Sequence, residues 1–362
     1  MINKHFLEEA NILDMSKEIY NTVVDENLKV ETRFQLLSKK IEDAETVNFI
    51  LADGLGFLNL QSTDSFLNKH INNTINTTFP SSTNVALTTI AMQASPIDHG
   101  IFGYYMYDKL NYGLINALNW NSENKKLLLS KYFNNQSSIW KVFKENNIYA
   151  SNFQPKNLIN TPLSNFLYEG NSTVPYISQE DLIIALSDSL FLENKFNFIY
   201  YPNIDISAHV FGVNSAEWLK EIKIFEVLVK KITELSNKKS YTVISADHGL
   251  TNVPNENRYN IAYKEGIKVY GDQRSVYLNG SKKEIIEVFS GVPGQLIDRS
   301  ELNHLLPEPK NDFIESLYPD FCFLVADKNI IYPHHLKTEL SGYHGGLSTE
   351  EIKIPIIEIS NF

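Results

Sequence analysis

The sequence predicts an α/β fold in which a mixed, mostly parallel sheet lies between helical layers. Three observations carry that expectation. Short runs rich in Val, Ile, Phe and Tyr recur along the chain and stop at turn residues, as strands buried on both faces do. Segments with helical spacing lie between those runs. Three of the runs also lead into aspartates, and open α/β sheets build their sites at the carboxyl ends of strands.

Taken in order, the runs are VNFILAD (47–53), FNFIYYP (196–202), YTVISAD (241–247), RSVYLNG (274–280), FCFLVAD (321–327) and KIPIIEI (353–359), each expected as a buried parallel strand. Helices are expected over Val85 to Met92, Ile139 to Lys144, Gln179 to Leu190, Ala216 to Leu235 and Lys282 to Phe289. The one from Ala216 is the clearest, with apolar residues at Trp218, Leu219, Ile222, Phe225, Leu228 and Ile232. The Asn-rich stretch from Asn72 to Asn76 reads as a polar loop. Two stretches, 104–136 and 291–320, lack clear periodicity and are expected as cap-like insertions over one sheet edge, within a single domain spanning 1–362.

Composition narrows the function. The chain has 362 residues, 43% of them hydrophobic, enough to bury a large core. Its formal net charge of −11, with lysines scattered in isolated pairs, disfavours nucleic acid and anionic membrane as partners. Cys322 is the single cysteine, so neither an internal disulfide nor a Cys-rich zinc site can form. The N-terminal residues lack the apolar stretch of a signal peptide, and no run approaches the roughly 18 apolar residues of a membrane span. A soluble, cytoplasmic protein is expected, of open oligomeric state.

The acidic and histidine residues carry the chemistry. Asp53, Asp205 and Asp247 follow three predicted strands, and His248 is adjacent to the last. Asp205 and His209 are four apart, on one helical turn, and His344 lies in the Gly-rich loop SGYHGGLS. Buried together without partners, these carboxylates would repel one another, and divalent cations remove that cost. Each piece alone has a plainer explanation: Asp53-Gly54 as a turn, Asp205 as the start of a capped helix, His344 as loop geometry. Their joint occurrence favours metal. Asp and His donors favour Zn2+, with Mn2+ second, and seven donors including a hydroxyl fit two ions. That hydroxyl is sought in FPSSTNVAL, where Ser81, Ser82 and Thr83 are all good N-caps. A helix start favours phosphate, and a metal ion can turn a hydroxyl into a nucleophile.

The order of these motifs resembles the alkaline phosphatase superfamily, and within it the type I phosphodiesterase/nucleotide pyrophosphatase branch, across residues 47–348. The resemblance implies an alkaline phosphatase-like fold and Thr83 as nucleophile. It implies one ion on Asp53, Thr83, Asp247 and His248, and another on Asp205, His209 and His344. His99 and Gly100 look structural. The chain departs from animal members at Ser82, where they carry Lys, and at Ala86, where they carry a phosphate-holding Asn, which leaves Asn84 as the substrate-binding candidate. Sulfatases need a C/S-x-P-x-R motif that is absent here. The expected activity is hydrolysis of a small phosphodiester or of a nucleotide or sugar pyrophosphate through a phospho-threonine. Phosphomonoesterase or phosphonate C–P hydrolase activity is the alternative, then a metal-binding protein without catalysis. Monoesters want added cations, for which Lys109, Arg258, Lys264 and Arg274 are the candidates.

Overall fold

A computed structural model describes residues 3–110, 113–122, 138–170, 172–191, 195–235, 239–262, 264–332 and 339–361. It contains two seven-stranded sheets. The strands of the first are β1 (Thr46–Ala52), β2 (Ile71–Asn76), β3 (Ala150–Pro155), β4 (Ser172–Tyr176), β5 (Phe196–Tyr201), β6 (Ser240–Ser245) and β7 (Lys353–Ser360), in the spatial order β2-β7-β6-β1-β5-β3-β4. From β6 to β4 every pairing is parallel, while β7 runs antiparallel to both β6 and β2. The sheet is therefore mixed and mostly parallel, as the sequence predicts.

Every residue of β1, β5 and β6 is buried, which is why these strands read as unbroken apolar runs. Their polar residues pair with one another: Asn197 Nδ2 donates to Asn48 Oδ1 at 3.0 Å, and Asn48 Nδ2 to Thr242 Oγ1 at 3.4 Å.

Three of the expected parallel strands are antiparallel. Besides β7, the runs near 274–280 and 321–327 form strands Ser275–Asn279 and Phe321–Val325 of the second sheet, whose pairings are all antiparallel. Burial on both faces gives a continuous apolar run in either direction, so the run does not encode the direction. The stretch Asn72–Asn76 is not a loop but part of β2, an edge strand in which Asn72 is exposed while Asn76 is buried and donates to Glu9 Oε2 at 2.9 Å. The stretches expected as insertions contribute strands Tyr105–Asp108, Gly113–Asn116, Asn121–Ser122 and Gly294–Asp298 to the second sheet. The rest of the first stretch, from 123 onward, lies outside the described residues. One hydrophobic cluster runs through both sheets, from Phe49 and Ile244 to Tyr277 and Cys322.

Helices lie where periodicity places them, at Ile139–Glu145, Gln179–Phe191, Ala216–Leu235 and Lys282–Phe289. Two others frame the site: α1 (Thr83–Met92) and α2 (Asn203–Phe211). Among the described residues, no helix is long and apolar enough to cross a membrane.

Candidate active site

Parallel pairing in register brings three aspartates together. Leu51 of β1 lies beside Tyr200 of β5 and Ser245 of β6, so the three strands end at one level. Asp53 leaves β1, Asp247 leaves β6, and Asp205 sits in the first turn of α2 just beyond β5. Their close approach requires Gly54, which has φ +74 and where a Cβ would stand 2.9 Å from the Asp205 Cα. Gly54 N–H also donates to Asp247 Oδ1 at 3.1 Å.

Three histidines complete the cluster, each oriented through Nδ1. His209 Nδ1 donates to the Gly342 carbonyl at 2.8 Å, His344 Nδ1 to the Ser81 carbonyl at 2.8 Å, and His248 Nδ1 to the Gly249 carbonyl at 3.2 Å. That tautomer leaves each Nε2 as a lone pair, and the one on His248 meets the Thr83 hydroxyl. His248 Nε2 lies 3.4 Å from Asp247 Oδ2 and 3.6 Å from Asp53 Oδ1, and His209 Nε2 lies 3.3 Å from Asp205 Oδ2. The rings of His248 and His344 stack with centroids 3.7 Å apart, and His209 is 5.1 Å from His344. Asp53, Asp247 and His248 offer donor atoms within 4.8 Å of one another, and so do Asp205, His248 and His344. His248 thus adjoins both trios, whereas the family pattern assigns it to one.

The structure separates the three hydroxyls of FPSST. Ser81 Oγ donates to the Gly346 carbonyl at 2.9 Å and accepts from Gly345 N–H at 3.0 Å. Ser82 Oγ donates to Asp272 Oδ1. Thr83 Oγ1 lies 3.0 Å from His248 Nε2 and is the one directed at the cluster. Ser82 rather than Thr83 occupies the N-cap of α1, and no side chain caps that end, so backbone N–H groups of its first turn are left to face a ligand. Asn84 lines a cavity that opens beside Thr83, but its Nδ2 donates to the Gly103 carbonyl at 3.0 Å.

Burial sets the electrostatics. It pushes the Asp53 carboxyl well above the usual range, with the charges of Asp247 and Asp205 adding to the effect. It raises Asp247 as well, and raises Asp205 to about 6. It lowers His248 to about 3 and His344 well below its ordinary value, each helped by a neighbouring histidine. Asp53 Oδ1, Asp205 Oδ1 and Asp247 Oδ2 have no hydrogen-bond partner among the described residues. Unpaired buried carboxylate oxygens facing histidine lone pairs are the donor set that divalent cations satisfy.

The family model described as type I phosphodiesterase / nucleotide pyrophosphatase matches residues 47–301. The chain belongs to that family. No curated protein matches the sequence. Among solved structures, murine ectonucleotide pyrophosphatase / phosphodiesterase 5 superposes with a TM-score of 0.68 at 15% identity, over 86% of this chain and 87% of that one. The human protein of the same name gives 0.65 at 15% identity, over 86% and 87%. Phosphonoacetate hydrolase from Sinorhizobium meliloti 1021 gives 0.62 at 14% identity, over 87% and 90%. At these identities the superpositions establish the shared fold.

In this member of the phosphodiesterase family, a cavity of about 630 Å³ extends from Thr83, Asp53 and His344 between β3, β4 and α2. The four candidate cations are engaged elsewhere. Lys109 pairs with Asp320, Lys264 with Glu284 and Glu287, and Arg274 with Glu351, while Arg258 donates to the carbonyls of Val253 and Leu340.

Several site residues escape sequence reasoning. Tyr200, inside an apolar run, donates its hydroxyl to Asp53 Oδ2. Asp272, in the turn before strand Ser275–Asn279, accepts from Ser82 Oγ and from Tyr104 N–H at 3.1 Å. Glu351 holds the His344 loop through Gly346 N–H at 2.9 Å. Only the last had a readable signal, the capping box formed by Ser348 and Glu351.

Proposed function

We propose that the chain is a two-metal phosphodiesterase in which Thr83 is the nucleophile. One ion would be held by Asp53, Asp247, His248 and Thr83, and the other by Asp205, His209 and His344. The observation that carries this reading is the set of three unpartnered buried carboxylate oxygens, two of them facing His248 Nε2, which itself lies 3.0 Å from Thr83 Oγ1. Zn2+ suits these donors best, with Mn2+ second. Bound divalent cations would lower the pKa of the threonine hydroxyl and offset charge on the leaving oxygen.

The chain's own part follows from its geometry. The uncapped start of α1 offers N–H groups to the nonbridging oxygens of the substrate. Thr83 Oγ1 forms a bond to phosphorus as the ester P–O bond breaks and the alcohol departs. Water then cleaves the phospho-threonine, so one water is consumed and a monoester and an alcohol are released. A monoanionic diester fits a site whose neighbouring cations are paired elsewhere better than a dianionic monoester or a carboxylated phosphonate does. A small-molecule phosphodiester or pyrophosphate is therefore the expected substrate.

The test is an assay of purified protein with aryl phosphodiesters, aryl monoesters and phosphonoacetate, alongside elemental analysis. About two transition ions per chain and preferential diester cleavage are expected, with activity removed by chelation and restored by Zn2+ or Mn2+. A fully active, metal-free preparation would sink the proposal.

A further inference from the structure

We infer that the buried carboxylate of Asp272 makes this site favour phosphodiesters over phosphomonoesters, by placing beside the phosphoryl group a negative charge that no cation offsets; the inference rests on the phosphodiesterase reading above.

Asp272 is 6% exposed and lines the cavity that opens beside Thr83. Its Oδ1 accepts from Ser82 Oγ, one residue before Thr83, and its Oδ2 accepts from Tyr104 N–H at 3.1 Å. The side chain also packs against the His344 loop, where a Cβ built on Gly345 would stand 2.8 Å from the Asp272 Cβ. The carboxylate is thus held between the residue that precedes the proposed nucleophile and the residue that follows a proposed ligand of the second ion. A phosphoryl group attacked by Thr83 comes within its field. Both oxygens act as acceptors, as those of an anion do. Burial raises its pKa to about 6, which leaves it ionised at pH 8.

The charge of Asp272 differs from the others in having no counterpart. Three carboxylates line the cavity among the described residues, and no lysine or arginine does. Two of the three, Asp53 and Asp205, belong to donor trios that divalent cations would neutralise. Asp272 belongs to neither trio. Arg274, two residues further on, spends Nε and Nη2 on the Glu351 carboxylate. At pH 8 the phosphoryl group of a monoester carries close to two negative charges and that of a diester one. An uncompensated anion in a buried, weakly screened place repels the monoester more.

The experiment compares kcat/KM for p-nitrophenyl phosphate and phenyl p-nitrophenyl phosphate at pH 8, with metal content measured alongside. Asp272→Asn removes the charge and keeps the size, because its amide can donate to Ser82 Oγ while its carbonyl accepts from Tyr104 N–H. Asp272→Ser is the second neutral variant, for use if the first does not fold. Either should raise the monoester-to-diester ratio about 10-fold at unchanged metal stoichiometry. A ratio within about twofold of wild type would overturn the inference. Ser82→Ala removes the hydrogen bond and keeps the charge, so its ratio should stay within about twofold of wild type. A rise equal to that of Asp272→Asn would trace the effect to the placement of Thr83 and overturn the inference as well. Calorimetry tests the charge apart from turnover. Inorganic phosphate should bind metal-loaded Asp272→Asn about 10-fold more tightly than wild type, with diphenyl phosphate changed less than about twofold. Equal changes for the two ligands, or none, overturn the inference. The expected binding pattern without cleavage of either ester would sink the phosphodiesterase reading alone.

Discussion

Arg274 and Glu351 are as deeply buried as Asp53 and Asp247, yet the two sets of charges are built in opposite ways. Arg274 places Nε and Nη2 on the Glu351 carboxylate at 2.6 and 2.7 Å, and Nη1 on the Asn329 carbonyl at 2.5 Å. Glu351 also accepts from Gly346 N–H, Ser348 N–H and Ser348 Oγ at 2.9, 3.2 and 2.6 Å. The aspartate cluster has like charges side by side and three oxygens without partners. One set is complete within the fold, and the other is complete only with a ligand. The two are also connected. The Glu351 side chain holds the loop of His344, and its backbone carbonyl receives Gly249 N–H at 2.9 Å, next to His248. The satisfied pair fixes the frame in which the unsatisfied one stands.

The largest effect is expected at Thr83. Thr83→Ala should lower turnover at least about 10³-fold while leaving the melting temperature nearly unchanged, because the hydroxyl is spent on the site and not on capping α1. Ser81→Ala and Ser82→Ala keep Thr83 and should retain far more activity; a dead Ser82→Ala enzyme beside an active Thr83→Ala one would reverse the assignment.

Next in size is the frame. Glu351→Gln leaves Arg274 buried without its anion and should cost about 3–5 kcal/mol in urea unfolding. It should also weaken metal retention, since His344 loses its anchored loop. A loss below about 1 kcal/mol would show that the pair is not the fold's internal charge match.

The opposite sign is expected inside the cluster. In chelator, Asp53→Asn removes one of three mutually repelling buried carboxylates and should stabilise the protein by about 0.5–2 kcal/mol, whereas after addition of Zn2+ or Mn2+ the variant should cleave no diester. Destabilisation of the metal-free protein by that substitution would mean that the carboxylates are not under strain.

An effect confined to acid comes from a buried group satisfied while neutral. His99 accepts from Ile101 N–H at Nδ1, 3.2 Å away, so its Nε2–H donates to Thr89 Oγ1 at 3.0 Å. Burial lowers its pKa to about 3. A folded value below the unfolded one of about 6.5 means that its contribution is intact above pH 6.5 and is lost as pH falls toward 3, by up to about 1.4 kcal/mol per unit. Urea melts between pH 7 and 4.5 should show a shallower decline for His99→Gln than for wild type; parallel declines would remove His99 from the acid response.

The sequence by itself determined the α/β class, the helices from Ile139, Gln179, Ala216 and Lys282, and the residues from Asp53 to His344 that meet at the strand ends. Those features are local: an apolar run, a helical period and an aspartate at the end of a strand are each written within a few residues. Strand direction was not, because the runs around Ser275, Phe321 and Lys353 bury both faces whichever way they pair. Nor were the second sheet and edge strand β2, whose residues are polar or aperiodic and gain their order from neighbours distant in the chain. Local spacing left open which hydroxyl of FPSST faces the histidines; the family resemblance pointed to Thr83, and the tertiary structure turns that side chain toward His248. Ser81 and Ser82 are claimed by Gly346 and Asp272, some 190 or more positions away, and hydrogen bonds across such separations leave no trace in local spacing.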